Sequence, residues 1–193
     1  DDFVVVVHHS GSSSHRTTSV TSGWTRLFTT GASDTYDAIL EVYYKKMGAT
    51  PDTEVVVGMS STSTLDSHYW MVYGFRGVDT STPFDVSTPA ATVISNTVGV
   101  TPPSLTATTA NALYLVMATA GHTEGIFEYV RWSGTRTTTL AYGSSIDSYD
   151  LSSISGLKLH EGSAFTPSAI EPATFTDNTG YSGVGGILAL RPA

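Results

Sequence analysis

The stretch Tyr36-Asp37-Ala38-Ile39-Leu40-Glu41-Val42-Tyr43-Tyr44-Lys45 decides the fold class. Taken every second residue, one face carries Tyr36, Ala38, Leu40, Val42 and Tyr44, and the other carries Asp37, Ile39, Glu41, Tyr43 and Lys45. A period of two belongs to a pleated strand, whose successive side chains point to opposite sides. The stretch reads as a half-buried strand with one core face. Ala, Leu, Glu, Lys and Met also cluster over residues 35–46, which would suit a turn or two of helix, but the β-branched and tyrosine residues favour the strand.

Two more segments, residues 68–76 and 111–120, are apolar on both faces. In the first, Trp70 and Val72 stand against Tyr69, Met71, Tyr73 and Phe75. Such segments suit central strands covered on both sides, by a second sheet or by a partner subunit. Further strands are expected over residues 3–8, 24–30, 53–59, 92–95, 126–132, 136–142, 157–160, 173–176 and 184–191. Turn-forming pairs divide them, among them Ser10-Gly11, Thr30-Gly31, Ser133-Gly134 and Gly143-Ser144. About a dozen short strands at this spacing predict an all-β chain, an antiparallel β-sandwich of jelly-roll-like kind, with residues 1–193 as one domain. The long connection that begins at Gly77 and ends at Pro103 holds four of the eight prolines, Pro83, Pro89, Pro102 and Pro103. Proline cannot donate to a ladder, so this connection is expected to cross between sheets.

Composition narrows the function classes. The chain has 193 residues and no cysteine, which removes disulfides, thiol catalysis and cysteine-held metals. Nine Lys and Arg against 17 Asp and Glu give a net charge of −8, which disfavours a grip on nucleic acid or on an anionic membrane. No apolar run reaches the roughly 20 residues of a membrane helix. Only 13% of residues are charged, whereas 25 Ser and 30 Thr coat the strands and turns with small neutral hydroxyls. The first residue is Asp1 rather than Met, so a processed chain or a segment of a longer one is expected.

No motif points to chemistry. His8 and His9 are adjacent, and on a strand they face opposite ways, so they cannot chelate one ion; surface or rim histidines are expected. Gly58-Met59-Ser60-Ser61-Thr62 lacks the second glycine of a nucleophile elbow. Gly183-Val184-Gly185-Gly186 leads into a strand, not into the helix a phosphate loop requires, and so reads as a bulge or a close strand crossing. Glu41, Glu54, Glu124, Glu128, Glu161 and Glu171 show no pairing for glycoside cleavage. No catalytic, metal or cofactor residue is therefore assigned. Trp70 reads as core, while Trp24 and Trp132 stand at strand ends where they could stack on a glycan.

Several passages taken together carry a resemblance. They are Gly23-Trp24-Thr25, the run from Ala38 to Lys45, the run from Tyr73 through Arg76, Gly77, Asp79 and Pro83 to Asp85, Asn111-Ala112-Leu113-Tyr114-Leu115, and a glycine-rich final strand ending Leu190-Arg191-Pro192. They resemble a diffuse group of bacteriophage structural proteins, β-sandwich or jelly-roll domains on capsids, tails or fibres. The resemblance implies a non-enzymatic virion protein whose partners are copies of itself and other virion proteins, and possible contact with host glycan. Its apolar strand Phe3-Val4-Val5-Val6-Val7 would be either a docking strand exchanged between copies or an ordinary buried strand. Arg76, Asp79, Pro83, Phe84 and Asp85 read as a rigid corner. In it Asp79 accepts from Thr80 or Ser81, Arg76 pairs with Asp79 or Asp85, and Phe84 plugs the sheet edge. The rival classes are a carbohydrate-binding adhesin module and a small β-sandwich glycoside hydrolase or lyase.

Overall fold

A computed structural model describes residues 2–10, 17–32, 38–60, 68–86, 90–94, 99–100, 105–109, 112–120, 131–132, 141–142, 146–147, 154–161, 169–170, 175–176 and 183–193. The regular elements among them are all strands. In chain order they are β1 (Phe3–Ser10), β2 (Thr17–Val20), β3 (Thr25–Ala32), β4 (Ala38–Lys46), β5 (Val57–Met59), β6 (His68–Phe75), β7 (Ala90–Ile94), β8 (Gly99–Val100) and β9 (Leu105–Thr106). They continue as β10 (Leu113–Ala120), β11 (Arg131–Trp132), β12 (Ala141–Tyr142), β13 (Ile146–Asp147), β14 (Ile154–Glu161), β15 (Ala169–Ile170), β16 (Phe175–Thr176) and β17 (Gly183–Leu190). Every named pairing is antiparallel. Of the expected strands at 126–132 and 136–142, only residues 131–132 and 141–142 fall within the described residues, and Pro89, Pro102 and Pro103 fall outside them.

Two large sheets dominate. The first runs β3-β4-β1-β6, and the second β12-β14-β10-β17-β7 with β13 on β14. Their apolar residues meet in one core: Phe3, Val5 and Val7 from β1, Ala38, Leu40 and Val42 from β4, Leu115 and Met117 from β10, and Val184, Leu188 and Leu190 from β17. Removing each such Val, Leu, Met or Phe side chain from water contributes roughly 1.5–3 kcal/mol. The approach is close at Gly186 of β17, where a Cβ atom would stand 2.9 Å from Leu40 Cδ2 and 3.1 Å from Phe28 Cζ. The ladders of β17 run without a register shift, so the glycine-rich run is a close strand approach and not a bulge.

The chain leaves the first sheet at β6 and enters the second at β7, so the connection after Gly77 crosses between sheets. Gly77 itself turns at φ +79°, a conformation that favours glycine. The corner then runs beside the end of β17. Asp79 N donates to Arg191 O, Arg191 N to Pro83 O, Asp85 N to Ala189 O, and Ala193 N to Gly77 O, each at 2.9 Å.

Three expectations change. The stretch around Glu41 is not half-buried, because Ile39, Glu41 and Tyr43 are as buried as the opposite face. A third layer, the two-stranded ribbon β2–β5, covers it, and a second cluster of Val6, Trp24, Tyr43 and Met47 forms there with Val20 and Val55 against it. Among the described residues β6 is not central: its pairing with β1 places it at the margin of the first sheet, and Val72 is 62% exposed. Its double apolar character marks an edge, not a covered interior. Finally, the expected strand at 53–59 shortens to Val57–Met59.

Candidate functional site

A buried polar cluster lies where β1, β2, β3 and β4 meet. Glu41, in mid-strand on β4, is fully buried and turns toward the ribbon. Its Oε2 accepts from His8 Nδ1 at 3.0 Å and from the Thr17 amide at 3.1 Å, and it takes a short bond from the Thr17 hydroxyl. Its Oε1 accepts from Thr29 Oγ1 at 3.0 Å. An ionised carboxylate only accepts, so His8 Nδ1 carries the proton. The far side of the cluster is closed by Trp70, whose indole stacks on the His8 ring at 4.0 Å and 8°. That contact follows from register, since His8 and Trp70 are cross-strand partners.

Burial alone would raise the Glu41 pKa. The hydrogen bonds from His8 and from Thr17 outweigh it and hold the carboxyl down to about 2. His9, on the opposite side of β1, is also fully buried, and desolvation, helped by neighbouring His8, pushes its pKa down to about 3. Neither histidine is at the surface or rim. The expected divergence of the two rings holds, and among the described residues no three His, Asp or Glu side chains gather as a metal ion requires.

The chemistry of the cluster follows from who donates to whom. In a nucleophilic triad the histidine stands between hydroxyl and carboxylate, accepting from one and donating to the other. Here His8 and Thr17 both donate to the same carboxylate oxygen, and both His8 and Glu41 are sealed from solvent. The arrangement ties four strands together.

The second cluster is the corner. Asp79 Oδ1 accepts from the amides of Ser81 at 2.9 Å and Thr82 at 3.2 Å, and its Oδ2 from Thr82 Oγ1 at 2.6 Å. The turn is as expected at Ser81, with Thr82 in the place given to Thr80. Arg76 reaches neither Asp79 nor Asp85. It pairs with Asp2 at 3.0 Å, because Arg76 and Asp2 lie at the adjoining ends of β6 and β1. Asp85, buried, is held by Arg191 Nε at 3.3 Å, by the Thr109 amide at 3.1 Å, by Thr108 Oγ1 at 3.2 Å and by a short bond from the Thr108 amide. Phe84 does close the core's end, edge-on to Phe3 at 5.8 Å and to Tyr44 at 4.8 Å. Pro83 supplies the carbonyl that receives Arg191 N.

The remaining candidates separate. Trp24 is 9% exposed, and its Nε1 donates to Asp52 Oδ2 at 3.1 Å, so its ring is committed to the second core cluster and not to a stacking face. The Trp132 side chain lies outside the described residues, although its backbone pairs with Phe175. Phe3–Val7 is paired along both edges, to β4 and to β6 of its own chain. Sequence reasoning missed an apolar groove of about 250 Å³ between the ribbon and the first sheet, lined by Val6, Val55, Val57, Met59, Trp70 and Val72. The alternation of Val55, Val57 and Met59 was its available signal. No family model, curated protein or solved structure matches the chain.

Proposed function

We propose that this chain is a non-enzymatic virion structural protein of a bacteriophage, a β-sandwich of jelly-roll-like kind that assembles in multiple copies on a capsid or tail. The observation that carries the reading is β6. It is an eight-residue strand without a Lys, Arg, Asp, Glu or Pro, its outer edge has no ladder partner among the described residues, and Val72 is 62% exposed at its centre. Edges left open usually carry charge, proline or a bulge to prevent pairing with another chain, and β6 has none of these. An uncharged strip of this kind lets copies meet without like-charge repulsion in a chain whose net charge is −8.

The two sheets sharing one core support the sandwich, and the crossover after Gly77 supports the closed corner. The short passages that resemble phage structural proteins supply the virion. Sedimentation equilibrium of the full chain tests the assembly step. A mass above the monomer that rises with concentration is expected, with Val72→Lys returning it to the monomer. A chain that stays monomeric and retains a glycan on an array would support the carbohydrate-binding class instead.

A further inference from the structure

The ribbon β2–β5 is built unlike the rest of the protein. Its ladder joins four residues to three and shifts register between Thr17 and Ser19. A lone two-stranded ribbon is marginally stable in water, so its order depends on what fastens it to the first sheet. Packing fastens it unevenly: Val20 and Val55 pack against the cluster of Val6, Trp24, Tyr43 and Met47, whereas a groove of about 250 Å³ opens beside Val57, Met59, Trp70 and Val72. Polar contacts fasten it at two ends, and the ends are unequal.

At one end Thr17 gives its amide and hydroxyl to the buried carboxylate of Glu41. Losing a buried partner of that kind is costly. At the other end the approach to β5 is held through Asp52, which takes Lys45 Nζ at 2.6 Å and Trp24 Nε1 at 3.1 Å. Both partners of this ion pair remain partly in solvent, where such pairs contribute little and are screened by salt. Between the two ends the two sides of the ribbon are joined by Thr21 N to Val56 O at 3.0 Å and Val56 N to Thr21 Oγ1 at 2.7 Å, and Thr21 O accepts from Trp24 N at 3.3 Å.

We propose that the β2–β5 ribbon is a strap that opens as a unit of its own from the Asp52 end, pivoting where Thr17 is bonded to Glu41, while the β3-β4-β1-β6 ladder stays closed. Opening uncovers Val6 and Trp70 on the outer face of the first sheet, beside the already exposed Val72. The inference rests on the fastening of the ribbon and is independent of the virion reading.

Native-state hydrogen exchange on the full chain tests it. The Thr21 and Val56 amides are expected to exchange at least about tenfold faster than those of β1 and β4, with a weaker dependence on denaturant. Asp52→Ala, or added salt, is expected to speed the ribbon amides by up to about fivefold and to leave β1 and β4 unchanged. Exchange of ribbon and sheet amides at one common rate, with one denaturant dependence, would overturn the proposal. So would an Asp52→Ala effect of equal size on both.

Discussion

Glu41 and His9 show how much one buried group decides. Glu41 stands among Leu40, Val42 and Tyr43, where a carboxylate survives only if its oxygens are satisfied, and four donors from three other strands satisfy them. Glu41→Ala leaves His8, Thr17 and Thr29 facing an empty acceptor site, and a stability loss of about 3–5 kcal/mol is expected from denaturant unfolding. His9 gives a pH dependence with a definite sign. Its folded pKa is depressed from 6.5 to about 3, so below pH 6.5 the unfolded chain takes up a proton that the folded chain refuses. Stability is complete above that point and falls on acidification, by about 2 kcal/mol between pH 7 and pH 5 for this one group. The loss from Glu41 comes lower, below its usual value near 4.5, as the pH falls toward about 2. His9→Leu should therefore flatten the denaturant midpoint between pH 7 and pH 5, and an unchanged slope would show that His9 is not desolvated.

Among the elements, the strands legible in the sequence are those whose pattern is set by their own neighbours. β1, β4, β6, β10 and β17 follow from apolar alternation or apolar runs. What covers each face was not legible, because that depends on pieces distant in sequence. The polar side of β4 reads as solvated because the ribbon that covers it is distant in sequence, and β6 reads as interior because an edge strand that is apolar on both faces carries the same letters. The partners of Glu41 were hidden for a similar reason: Thr17 and Thr29 are two threonines among 30. Arg191 could not be matched to Asp85 across 106 residues. Gly186 was visible as one of a glycine-rich run, and its role emerges only when Leu40 and Phe28 are seen against it. Gly186→Ala should destabilise by about 1–3 kcal/mol through overpacking, with Gly186→Val worse, as read from the urea midpoint. No effect of either would mean that the two sheets are not pressed together there.

For the whole molecule, the apolar residues of two sheets are used in a shared core, buried His8 and Glu41 are used to tie strands, and among the described residues β6 is a neutral edge with Val72 exposed. In the proposed reading such a chain acts through the surface it presents, repeated many times. Val72 lies at the middle of that edge, and a lysine there places a charge opposite its own copy in an antiparallel pairing centred on Val72. The variant should remain folded, since the side chain is already exposed, and should lose self-association. The most direct measurement is the copy number of this chain in purified phage particles, by quantitative mass spectrometry against an abundant coat protein. Many copies per particle in a fixed ratio to that protein are expected, and absence from particles, or recovery only in trace amounts, would contradict the account.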